Sequence, residues 1–225
     1  MFKQPGKVSV VTRFGSLFCL LLIFSGCGSM YYSTMEKLGV EKRDILVDRV
    51  GEARDAQSDA RETFRSSLDR FQSVVDTPDS GLQQKYDVIS DAYDDSLKSA
   101  NKVRDRIEAV EDVSGALFDE WEDELDLYES ASLRKTSKRR LDETRELYDS
   151  LIARMHQVEK RMDPVLEAFE DQVLFLKHNL NAQAIGSLED ELGQIRQDVD
   201  SLVRDMEASI AESEAFIQRF REGSV

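Results

Sequence analysis

The sequence predicts an all-α fold, an elongated antiparallel helical bundle or coiled coil of about four long helices, and three observations carry that expectation. Apolar residues recur at alternating spacings of three and four along most of the chain, the mark of a single buried helix face. Proline and glycine, the strongest breakers of helices, number only 3 and 11 among 225 residues. Charged residues make up 33% of the chain against 40% hydrophobic, the balance of long solvated helices rather than of strands. A chain of this length supports one sizeable core or two small ones.

The elements follow in order. Lys3, Lys7 and Arg13 form a positive segment, and Phe14–Phe24 is an apolar run that gives way at once to Ser25-Gly26-Cys27. That is the layout of a cleaved export signal, and the run is shorter than the roughly 20 residues a membrane span needs. Gly28 to Thr34 reads as a short tether, polar apart from Tyr31 and Tyr32. The first helical stripe is Leu46, Val50, Ala53, Gln57, Ala60, Phe64, Leu68, Phe71 and Val75, and it stops at Thr77-Pro78-Asp79-Ser80-Gly81, the firmest turn in the chain.

The second stripe runs Leu82, Tyr86, Ile89, Tyr93, Ser96, Ala100, Val103, Ile107, Val110, Ser114, Leu117, Trp121, Leu125 and Tyr128. Its end falls near Ala131 or near Gly115, and the later boundary is preferred. The third stripe, Leu141, Thr144, Tyr148, Leu151, Met155, Val158, Met162, Val165 and Phe169, keeps its phase across Asp163-Pro164. That favours one kinked helix over a restart capped by Asp163. Between Lys177 and Ser187 the pattern weakens, and Asn179, Asn181 and Gly186 suggest a buried turn with asparagine caps. The fourth stripe is Leu188, Leu192, Ile195, Val199, Leu202, Met206, Ser209, Ser213, Phe216 and Phe220. Sustained heptads imply left-handed supercoiling. The many Ala, Ser, Thr and Tyr on these stripes imply a thin core, and with it homo-oligomer formation through a second seam.

Charge narrows the function. The formal net charge is −15, and since residues 1–26 hold three bases and no acid, the remainder carries −18. Such a body repels nucleic acid, so no nucleic-acid partner is expected. The exported portion has no second thiol to pair with Cys27, which excludes a disulfide scaffold. His156 and His178 lack His or Cys neighbours at ligand spacing, so no metal site is expected. The acidic run Asp119–Glu124 reads as a solvated helix face rather than a general-acid site, and no GxxxxGK[ST] occurs. No catalytic or cofactor-binding residue is assigned, and the protein is expected not to be an enzyme. The one charge anomaly is Arg134, Lys135, Lys138, Arg139 and Arg140, five bases within seven residues of an acidic chain. In an up-down-up-down bundle the hairpin that bears them returns to the end where the chain enters, so these bases are candidates for membrane or partner contact. The competing reading is that they neutralise the neighbouring acids across the hairpin.

Ile23-Phe24-Ser25-Gly26-Cys27 resembles the lipobox of bacterial lipoproteins, with Phe24 in place of the preferred leucine. The resemblance implies cleavage between Gly26 and Cys27, a diacylglyceryl group on the Cys27 thiol and an acyl chain on its new amine. Two or three chains hold a protein at a bilayer, where one binds reversibly. The implied organisation is a signal peptide over 1–26, a lipidated tether over 27–35 and a helical domain over 36–222. The covalent lipid replaces any cofactor. Gly28 in place of aspartate is similar to the pattern that sorts to the outer membrane, which implies its periplasmic face. Tyr31 to Gly39, Lys42 to Val47, Arg161 to Leu166 and Leu176 to Asn181 resemble a proteobacterial family of helical lipoproteins known only as a domain of unknown function. Some members carry the label "DNA repair ATPase", which the missing nucleotide motif and the export signal contradict. The resemblance supplies no mechanism. What remains is a structural or adaptor protein of the envelope with an envelope protein partner, or alternatively a helical module that binds a lipid or other ligand.

Overall fold

The computed structural model divides between Val40 and Glu41, and the described residues, 41–76, 81–179 and 182–222, all belong to the second unit. The expected signal peptide and tether, with Gly26 and Cys27, lie outside the described residues. Four helices make up the unit: α1 (Lys42–Asp76), α2 (Leu82–Leu125), α3 (Ala131–His178) and α4 (Ala182–Arg221). Each packs on its sequence neighbours, and α4 closes back on α1, so the four form a ring. Partners across each interface run in opposite directions. Arg106 meets Glu52 at 3.0 Å whereas Arg70 meets Asp95 at 2.8 Å, and Arg43 reaches the Phe220 carbonyl whereas Arg196 reaches Gln72. The order is therefore up, down, up, down. The 44 residues of α2 make it about 66 Å long at 1.5 Å per residue.

The apolar stripes meet at the centre of this ring. On α4 all ten expected positions, Leu188 through Phe220, are buried. Phe64 and Phe71 of α1 and Phe169 of α3 are fully buried and stack across the diagonal, with centroids 6.4 and 4.5 Å apart. Small residues let α1 and α2 approach closely. The Ser67 hydroxyl donates to the Ala92 carbonyl at 2.9 Å, and the Ser96 hydroxyl donates to Ser67 at 2.8 Å.

Four expectations need correction. At the end of α1 it is Val74 that is buried, and Val75 is half-buried. On α2, Tyr86 and Tyr93 are half-buried while Lys85 and Ala92 fill the interior, and the Lys85 ammonium donates to the Val74 carbonyl at 2.7 Å. That contact satisfies a carbonyl with no partner inside α1 and places a cation at the negative end of its dipole. Tyr128 leaves the stripe altogether, because α2 ends at Leu125 and Tyr128 stands in the connecting loop. The turn after α3 is shorter than expected, since α3 runs to His178 and α4 begins at Ala182, and Asn181 lies outside the described residues. Asn179 caps α3, its side-chain amide donating to the Phe175 carbonyl at 3.0 Å, yet Leu174 and Phe175 are exposed and Gly186 lies within α4. The two open questions close plainly: α2 runs unbroken through Ser114-Gly115, and α3 runs unbroken through Pro164.

Candidate functional site

The bundle has two unlike ends. Lys42, at the start of α1, pairs with Glu120 at 2.8 Å, and Arg43 donates to the Phe220 carbonyl near the end of α4 at 3.0 Å. Beyond this level, among the described residues, only α2, loop 126–130 and the first turns of α3 continue. They form a two-helix extension with a small core of its own, Phe118, Leu125 and Leu141, against which Trp121 and Tyr148 pack. Phe118 and Tyr148 meet edge to face at 5.4 Å, and the Arg145 guanidinium lies 5.1 Å from the Phe118 ring centroid. Trp121 Nε1 donates to Ser137 Oγ at 2.8 Å, which ties α2 to α3. Arg145 pairs with Glu122, and this hydrogen bond holds the Glu122 carboxyl below its ordinary range. Burial pushes the Tyr148 hydroxyl upward.

All five singled-out bases stand on the first turns of α3, outside this small core and exposed to solvent. The hairpin neutralises them only in part. Arg134 reaches across to Asp126 at 4.0 Å, whereas Lys138 pairs with Asp142 and Arg139 with Glu143 within α3 itself. Lys135 and Arg140 have no acid within ion-pair distance among the described residues. Five bases against Asp126 and Glu129 leave residues 126–140 with a net charge of +3. An open cleft of about 710 Å³ lies between loop and helix, lined by Leu125, Tyr128, Arg134, Lys135, Lys138 and Asp142 among others. The composition missed the apolar part of this tip. Leu127 is 78% exposed and Leu133 58%, and Tyr128 stands beside them.

The other charged groups resolve into a solvated surface. A larger groove of about 960 Å³ between α1 and α2 mixes acids with bases and is spanned by two ion pairs, Lys102 with Asp59 and Arg70 with Asp95. Its size reflects a shallow interhelical furrow, so the smaller cleft is the chemically distinct one. In the acidic run Asp119–Glu124, Glu120 and Glu122 are engaged in ion pairs across helices. His156 bridges α2 and α3 between Glu159 and Glu111, each at 2.9 Å, and the hydrogen bond to Glu159, followed by that to Glu111, raises its pKa. Among the described residues no group of three or more His, Cys, Asp or Glu is arranged to hold a metal ion, and no helix is long and apolar enough to cross a membrane.

Fold and tip together define an up-down-up-down four-helix bundle with a cationic, apolar-tipped hairpin at the end where the chain enters α1. The chain belongs to the family described as protein of unknown function (DUF2959), which matches residues 31–220 and so takes in nearly the whole bundle. No curated protein and no solved structure matches it.

Proposed function

We propose that this protein is a lipid-anchored, non-enzymatic rod of the bacterial cell envelope, held at the periplasmic face of the outer membrane through Cys27 and serving as a spacer or adaptor. The observation that carries this reading is the direction of the rod. The chain enters α1 at one end and leaves α4 at that same end, where Arg43 touches Phe220. Residues 28–40 extend to about 47 Å at most, which is short of the roughly 60 Å that the 40 residues of α4 span between the entry end and the other. An anchor at Cys27 therefore holds the entry end and presents the other, where Leu174 and Phe175 are exposed. A photo-crosslinking residue at Phe175 in intact cells should capture an envelope protein, and a Cys27→Ala chain should not. A mature N-terminus without diacylglyceryl and acyl mass on Cys27 would refute the anchor. Crosslinks identical in the Cys27→Ala chain would refute the adaptor role.

A second reading, a module that opens to hold a lipid or ligand between its helices, draws on one observation. The Gln57 amide is fully buried, and neither of its polar atoms has a partner among the described residues. Lipid recovered with the purified protein, beyond that attached to Cys27, would favour this reading over the spacer.

A further inference from the structure

We propose that the α2–α3 tip seats directly on an anionic phospholipid surface, which gives the protein a second contact with the bilayer beside the chains on Cys27. The proposal rests on the anchored-rod reading for its geometry and adds the partner of the tip. Three independent features converge. The tip stands at the end where the chain enters the bundle, level with and beyond Lys42 and Phe220. Its most exposed side chains are apolar, Leu127 at 78% and Leu133 at 58%, with Tyr128, an amphipathic ring of the kind enriched at headgroup level, next to them. Bases follow these side chains along the first turns of α3, Arg134, Lys135, Lys138 and Arg139 share a cleft with Tyr128, and Lys135 and Arg140 are free of acidic partners among the described residues.

Charge sets the orientation. Residues 126–140 carry +3, whereas the rest of the chain from Cys27 onward carries −21. An anionic bilayer therefore attracts the tip and repels the shaft, so the rod stands on its tip instead of lying along the surface. The opposite end exposes Leu174 and Phe175 on α3 just after Glu170 and Asp171 and lacks a basic cluster like that of the tip, which disfavours it as the lipid-facing end. The leucines supply insertion, and the bases supply preference for anionic headgroups. A base near such a surface is worth roughly fivefold in partitioning, so neutralising Lys135 and Arg140 together shifts the ratio of docked to undocked tip by roughly 25-fold.

The test uses the full processed lipoprotein with one added thiol, Ser132→Cys at the tip or Asp171→Cys at the far end, labelled with an environment-sensitive fluorophore. It is reconstituted into phosphatidylcholine vesicles with or without phosphatidylglycerol, and lipid immersion is read by spectral shift and by quenching from brominated lipids. The tip label is expected to enter lipid only when phosphatidylglycerol is present, and to return to water in a Lys135→Gln, Arg140→Gln chain. The far-end label should remain in water throughout. Equal tip signals in the two vesicle types, no immersion in either, or immersion of the far-end label would overturn the proposal. A second reactive thiol at Cys27 would sink the anchor reading alone, since the response of the tip label to phosphatidylglycerol still decides the tip.

Discussion

Gln57→Met is expected to stabilise the bundle by about 2 kcal/mol. Gln57 occupies an interior position of α1, is 0% exposed, and holds both amide atoms without a partner among the described residues. A buried polar group left unpaired costs about 1–3 kcal/mol, and two such groups at the lower end of that range give the figure. Methionine has the same number of side-chain atoms along its length and a comparable helix propensity, so the exchange removes the polar cost without opening a cavity or weakening α1. For a domain of this size about 2–4 °C accompanies each kcal/mol, so the midpoint of thermal unfolding followed by far-ultraviolet circular dichroism should rise by about 4–8 °C. Urea unfolding should show a higher midpoint with an unchanged slope. A midpoint that falls, or does not move, would refute the reasoning, because it would mean that the amide is satisfied in the native state.

Phe169→Ala removes the ring that joins Phe64 and Phe71 across the diagonal and should destabilise the bundle by about 3–5 kcal/mol in the same denaturation assay. Trp121 is the only tryptophan and lies in the two-helix extension, so its fluorescence should report a lower unfolding midpoint than circular dichroism does, as local opening of a thinly covered segment requires. His156 has a raised pKa in the folded state, so its contribution to stability is fully present below the unfolded value of 6.5 and is lost as pH rises through the higher folded value. The difference in melting midpoint between the wild-type chain and His156→Gln should accordingly be largest in mildly acidic buffer and should shrink toward alkaline pH, and it should be small because the ring is partly exposed.

The helical faces were legible because burial on a long helix repeats with the heptad, and on α4 every expected stripe position is buried, with Val203 and Ile217 buried beside it. Where two apolar residues adjoin, the sequence does not settle which one faces inward. Val74 displaced Val75, and Phe118 joined Leu117, once the neighbouring helices fixed the rotation of each segment. Lys85 was illegible for a different reason. Its burial depends on a carbonyl supplied by Val74 across the turn, a contact that exists only after α1 and α2 fold together. The basic cluster was visible as a composition shift, and its return to the entry end followed from counting hairpins. Its apolar companions were hidden because Leu125 and Tyr128 continue the heptad spacing of α2, so the loop that exposes Leu127 looked like more helix, while Leu133 stands exposed on the first turn of α3.

The ring of helices is closed by its last member. Successive hairpins form between segments adjacent in sequence, but the contact that completes α1, such as Arg43 against Phe220, joins residues 177 apart. A chain shortened before α4 would leave one flank of α1 and one of α3 wet along their whole length, with no shorter arrangement able to cover both. Premature stop codons ahead of α4 should thus yield protease substrates rather than miniature rods, because closure of the ring falls on the forty residues Ala182–Arg221.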